Sequence, residues 1–197
     1  MRMLHWISHK FSTWNRKRKS QFVENFIVSR NIKSCLIVGA NSNANTPGFV
    51  NLIEHSIQNS LARQGGADVV VSGIEEHGAG WKNWLQADGR NLPFEADTFD
   101  LVFSNAVIEH VGEMEDQVKF IKEHDRVGKN WILTTPNRLF PIEGHTHVLF
   151  IHMRGKWKHP SFTRLLSKRD LLDILPIGTT VVGHSFSPTF ICYKVQS

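Results

Sequence analysis

Nowhere in its 197 residues does the chain offer the run of roughly eighteen uncharged apolar residues that a membrane-spanning helix needs, so no transmembrane segment is expected. Arg2, Met3, Leu4, His5, Trp6 and Ile7 are followed by neither a long apolar core nor a small-residue cleavage site, and no secretion signal is read there. Cysteine is scarce. Cys35 and Cys192 each lie in an apolar, strand-like segment, which gives neither a disulfide framework nor a zinc site and implies core thiols in a reducing cytoplasm. Internal repeats and low-complexity linkers are lacking as well. The length suits one α/β domain with one active site and is too short for two catalytic domains.

What is present begins with a positive balance. The formal charge is +5, and much of it comes from Arg16, Lys17, Arg18 and Lys19 and from the Arg154 to Lys158 region. That is a local signal: a solvated helix face is the plain reading of the first run, with RNA, an acidic partner or a membrane surface met by Trp6, Phe11 and Trp14 as alternatives. Eleven histidines make the effective charge rise below about pH 6.5, the ordinary histidine pKa, without assigning a function.

Hydrophobic periodicity sets the organisation. Met3, Ile7, Phe11 and Trp14, then Phe22, Val23, Phe26 and Ile27, recur at three- and four-residue steps and predict amphipathic helices before residue 31, read as a cover. Residues 34–39 form a short apolar run stopped by Gly39, as in a buried parallel strand. Phe49 to Leu61 reads as a helix, Asp68 to Ile74 and Phe99 to Ser104 as strands, Glu113 to Arg126 as a helix, and Asn130 to Thr134 as a strand broken at Pro136. Strands alternating with helices call for right-handed parallel crossovers, and such sheets bind ligands at the carboxyl ends of their strands. Thr179 to Ser185 and Thr189 to Lys194 lie close enough for a hairpin, which puts one antiparallel strand in a mostly parallel sheet.

Three segments carry more specific information: residues 88–94 (Asp-Gly-Arg-Asn-Leu-Pro-Phe), residues 99–105 (Phe-Asp-Leu-Val-Phe-Ser-Asn), and Glu109 with His110. Together they resemble the class I S-adenosylmethionine-dependent methyltransferases, in particular the small-molecule "type 11" branch, over roughly residues 33–138. The resemblance implies a Rossmann-like α/β fold with a mostly parallel seven-stranded sheet, helices on both faces and a C-terminal antiparallel strand. On it the chain divides into a helical cover (1–30), a cofactor-binding core (33–138), a substrate-side loop and helix (139–178) and a C-terminal hairpin (179–197). It also implies S-adenosylmethionine as cofactor. Asp88 then stands where an acid accepts the adenine amine, with Gly89 and Arg90 offering backbone amides to the ring. A carboxylate only accepts hydrogen bonds, which an exocyclic amine supplies. Glu75 stands where an acid holds both ribose hydroxyls, with Glu76 as its rival, and Asn105 ends the next strand of the motif.

The first loop departs from the family pattern of acid-x-Gly-x-Gly-x-Gly. Gly39 is kept and Ala40 follows it, but Ile37 replaces the acid, and Asn41 and Asn43 replace glycines. Asparagine tolerates positive φ, so the loop shape is expected to survive with altered contacts. The missing acid removes one polar contact near the cofactor's amino group, worth about 1 kcal/mol for a neutral hydrogen bond and more for a charged one.

Methyl transfer from an activated sulfonium asks mainly for alignment and exclusion of water. A hydroxyl or ammonium acceptor must also lose a proton, and His110, His145 and Glu143 are the candidate bases, all in segments leaving the carboxyl edge. A metal site on His145, His147 and His152 is disfavoured, because their spacing fits no helix-borne two-histidine motif and no cysteine joins them. Base-amine methylation is disfavoured too: the Asn/Asp-Pro-Pro-aromatic loop of such enzymes is replaced by Asn105-Ala106-Val107-Ile108. The favoured expectation is methyl transfer to oxygen or nitrogen of a small-molecule acceptor. An inactive methyltransferase-like binding subunit and an RNA-directed enzyme remain as alternatives.

Overall fold

In the computed structural model the strand-like runs line up as seven strands, and the order of those strands decides where a ligand can sit. The structure describes residues 12–46, 51–66, 68–142, 150–151 and 164–196, together with the backbone of 2–11. The elements are α1 (Arg2–Ser29), β1 (Ser34–Val38), α2 (Leu52–Arg63), β2 (Asp68–Gly73), β3 (Trp84–Gln86), β4 (Phe99–Asn105), α3 (Met114–Val127), β5 (Gly128–Pro136), α4 (Lys168–Ile174), β6 (Thr180–Val182) and β7 (Thr189–Val195). A single 3-10 turn, Ile108–His110, joins β4 to α3.

The sheet order is β3-β2-β1-β4-β5-β7-β6. Strands β1 to β5 pair in parallel, and β7 inserts antiparallel between β5 and β6. Strand order reverses between β1 and its two neighbours, so the crevice outside the carboxyl ends of β1, β2 and β4 is the place where such a sheet accepts ligands. The register sets Val38 level with Ser72 and Ser104, which brings Gly39 level with Asn105.

Alternation divides the core into two layers. Cys35, Ile37, Leu101, Phe103 and Ile132 face α1 and α2, where Val23, Ile27, Ile53, Ile57 and Leu61 cover them. Leu36, Val38, Val102, Trp131 and Leu133 face the other way, toward Phe120, Ile121 and Val127 of α3 and Leu171 of α4. Each fully buried aliphatic or aromatic side chain contributes roughly 1.5–3 kcal/mol by removal from water. Both cysteines lie in this core as free thiols, and burial raises the pKa of each. Among the described residues, no helix is long and apolar enough to cross a membrane.

Two readings need correction. The amphipathic helices before residue 31 are one continuous helix, α1, because its three- and four-residue steps join without a breaker. Helix α2 is described from Leu52, and the Asn51 side-chain amide before it donates to the carbonyls of Asn43 and Ala44; the expected start at Phe49 lies outside the described residues. The basic run is not a uniformly solvated face: Lys17 is exposed, but Lys19 is buried. Strand β3 had no individual signal, since three residues beside a tryptophan-rich loop are too few for a period.

Candidate functional site

A cleft of about 440 Å³ opens at the carboxyl ends of β1, β2 and β4, and Gly39, Glu75, Asp88, Val107 and His110 are among its walls. Its floor is set by β1. The amides of Gly39 and Ala40 both donate to the Ser72 carbonyl, at 2.8 and 3.0 Å, which locks the start of the loop to β2. Gly39 has φ of +72°, and a Cβ there would lie 2.5 Å from Val107 Cγ1. Glycine is required for both reasons.

The rest of the first loop keeps its shape by another device than positive φ. Among the described residues, neither Asn41 nor Asn43 has left-handed backbone. Instead Asn41 Oδ1 accepts from the Asn43 amide and the Thr46 hydroxyl, and Asn43 Oδ1 accepts from the Asn45 amide. The asparagines fold the loop through successive side-chain turns. The Asn41 carbonyl is taken by the indole of Trp81, and Asn41 itself does not line the cleft.

At the β2 end the cleft distinguishes two neighbouring acids. Glu75 lines it, whereas the exposed Glu76 stands 3.8 Å from His77. Asp88, Gly89 and Arg90 form the facing wall. The Arg90 guanidinium donates to both oxygens of Asp88, the closest at 2.6 Å, and the Arg90 amide donates to Asp88 Oδ1 at 2.9 Å. These bonds hold the Asp88 carboxyl below the usual aspartate pKa. The Arg90 amide is therefore committed to its own turn, and the Asp88 carboxylate is charged and oriented by its neighbour. Gly89 packs so tightly on Phe120 that a Cβ would fall 2.5 Å from the ring.

The exit of β4 forms the third wall. Ala106 has φ of +56°, a backbone region in which an L side chain is strained. Its amide donates to the Thr134 carbonyl, which fixes the turn and aims Val107 over Gly39. The following 3-10 turn buries Ile108 and Glu109 and leaves His110 exposed at the cleft rim. Asn105 is not among the residues lining the cleft, and its Oδ1 accepts from Lys19 Nζ at 2.6 Å and from the Thr134 hydroxyl at 2.7 Å.

That bond reveals a polar seam which sequence reasoning missed. Lys19 of α1 and Glu54 of α2 are each only 5% exposed, on either side of Asn105. Burial lowers the Lys19 pKa to about 8 and raises that of Glu54, the Asn105 side chain partly offsetting the latter. Their positions were nonetheless encoded. Lys19 continues the buried stripe of Val23, Phe26 and Ile27 one turn toward the N-terminus, and Glu54 shares the stripe of Ile57 and Leu61. A charged residue on an apolar stripe was the available signal. Further along the same edge Thr189 donates to Asn15 of α1, and Thr135 donates to Glu109. Glu143 and His145, with His147 and His152, lie outside the described residues.

Residues 67–130 match the methyltransferase domain family. No curated protein matches the chain. Among solved structures it is similar to magnesium protoporphyrin IX methyltransferase of Synechocystis PCC 6803 with bound SAH, at 16% identity over 91% of this chain and 83% of that one, with a TM-score of 0.57. An S-adenosylmethionine-dependent methyltransferase of Aquifex aeolicus gives 17% identity, coverage of 88% and 89%, and a TM-score of 0.52. A possible histamine N-methyltransferase of Thermotoga maritima gives 14%, coverage of 96% and 99%, and 0.53. At these identities the likeness is one of fold.

Proposed function

We propose, from the match of residues 67–130 to the methyltransferase domain family and the likeness of fold to S-adenosylmethionine-dependent methyltransferases, that the chain transfers the methyl group of S-adenosylmethionine to an oxygen or nitrogen of a small-molecule acceptor. The observation that carries the acceptor reading is the path of α1. Its Lys19 and Asn15 reach the ends of β4 and β7, so the helix, packed on one face of the sheet, also flanks the edge where the acceptor must enter. A flanked edge suits a compact acceptor better than a polymer strand. The segment after β4 supports the same choice, because residues 105–110 supply no aromatic shelf on which an extruded base could stack. Residues 1–30 thus act as the cover of the acceptor site.

The cofactor brings a methyl group already activated on a sulfonium, and the protein's part is to hold and aim. Asp88, fixed by Arg90, accepts the adenine amine. Glu75 accepts from the ribose hydroxyls, and the tight floor at Gly39 lets the chain approach the thioether side. His110, at the rim beside Val107, takes the proton that an oxygen or ammonium acceptor must shed. Glu143 and His145 are the remaining candidates for that role.

The reading is tested by incubating the protein with methyl-labelled cofactor and a cell extract split into low-molecular-weight, RNA and protein fractions. Label in the low-molecular-weight fraction is expected. Label confined to RNA would move the acceptor to the alternative read from the basic helix, and no transfer to any fraction would favour the inactive binding subunit.

A further inference from the structure

Position 37 holds isoleucine where the resembled family carries an acid, and the side chain there points into the layer covered by α1 and α2. Glu54 of α2 enters that same layer. Its Oε2 is buried and has no hydrogen-bond partner, and leaving such an atom dry and unpaired is costly unless a ligand completes it. Lys19 faces it from α1, sensing its charge but bonded instead to Asn105. The β1–β4 register sets Asn105 level with Gly39, so this seam adjoins the cleft floor at the end opposite Glu75. A buried acid and a buried base, bridged by an amide, match a ligand end carrying one charge of each sign.

Resting on the cofactor reading above, we propose that Lys19, Asn105 and Glu54 seat the zwitterionic amino-acid end of the cofactor, Glu54 receiving its ammonium group in place of the missing acid at position 37 and Lys19 its carboxylate. The adenosine end then lies toward Glu75 and Asp88, and the molecule spans the carboxyl ends of β2, β1 and β4. A carboxylate delivered from the helix differs from one on the strand in a useful way. It is positioned by the packing of α1 on α2, where Ser20 donates to Ser56 at 2.7 Å.

The test is calorimetric titration with two ligands: S-adenosylhomocysteine, and methylthioadenosine, which shares the adenosine and thioether but lacks the amino-acid head. Glu54→Gln and Lys19→Met are each expected to weaken S-adenosylhomocysteine by about 10- to 100-fold, the scale of a charge-assisted hydrogen bond, while methylthioadenosine changes less than about twofold. The second ligand also reports that each variant is folded. Equal weakening of both ligands, or of neither, overturns the assignment and makes the seam structural. Failure of the wild type to bind either ligand would instead remove the cofactor reading itself, and the assignment with it.

Discussion

Two residues at the exit of β4 carry opposite kinds of constraint. Ala106 pays for the direction of its turn with left-handed backbone, a region that costs an L residue roughly 1–2 kcal/mol. Ala106→Gly should therefore raise the unfolding free energy by about 1 kcal/mol once the added freedom of the unfolded chain is deducted, read from the urea midpoint at unchanged slope. A midpoint that falls instead would mean that the Ala106 methyl contributes packing exceeding the strain. His110 is constrained by position, not backbone. For an oxygen acceptor His110→Ala should lower turnover by roughly 10²- to 10⁴-fold at nearly constant cofactor affinity. Turnover within a few-fold of wild type across pH 6–9 would shift the base to Glu143 or His145, or to none. Single residues were unevenly legible. Gly39, Glu75 and Asp88 stand out by motif, whereas Lys19 and Glu54 look like ordinary surface charges until the helices that carry them are paired.

At the scale of elements, the clamp between α3 and β4 is the clearest source of pH dependence. His124 is wholly buried: its Nδ1–H donates to the Phe120 carbonyl and its Nε2 accepts from the Ser104 hydroxyl at 3.0 Å. Because a carbonyl only accepts, the proton belongs on Nδ1. Burial pushes the His124 pKa down to about 4. Between that value and about 6.5 the unfolded chain binds a proton that the folded chain refuses, so stability is full above pH 6.5 and falls as pH drops toward 4. The loss amounts to about 3 kcal/mol by pH 4. Replacing His124 with Gln should flatten that part of the stability curve, measured by urea melts at pH 7, 5.5 and 4.5. An unchanged slope would place the acid sensitivity elsewhere. Elements themselves were legible where periodicity had room to act, as in β1, β4 and α3. It had no room in β3, with three residues, and the turn chemistry of the first loop hid in asparagine side chains whose partners lie two to five positions away.

For the whole molecule, strand order puts every group assigned to the cofactor on one edge, although they come from elements far apart in sequence. The alternation of strands and helices predicted that edge, and the hairpin spacing predicted the antiparallel β7. The sequence read the N-terminal segment as a cover but not that it packs beside α2 on one face of the sheet with Lys19 reaching the end of β4, since amphipathicity names a face to bury and not the surface that buries it. Above all, this edge is proposed to bind S-adenosylmethionine by its adenosine, through Asp88. Titration of S-adenosylhomocysteine into the wild type and Asp88→Ala tests it most directly, both proteins first matched for folding by thermal melt. One site per chain is expected in the wild type, with a loss of about 1.5–3 kcal/mol in the variant, the scale of a hydrogen bond to a charged group. No binding by the wild type, or equal binding by the two, would contradict it.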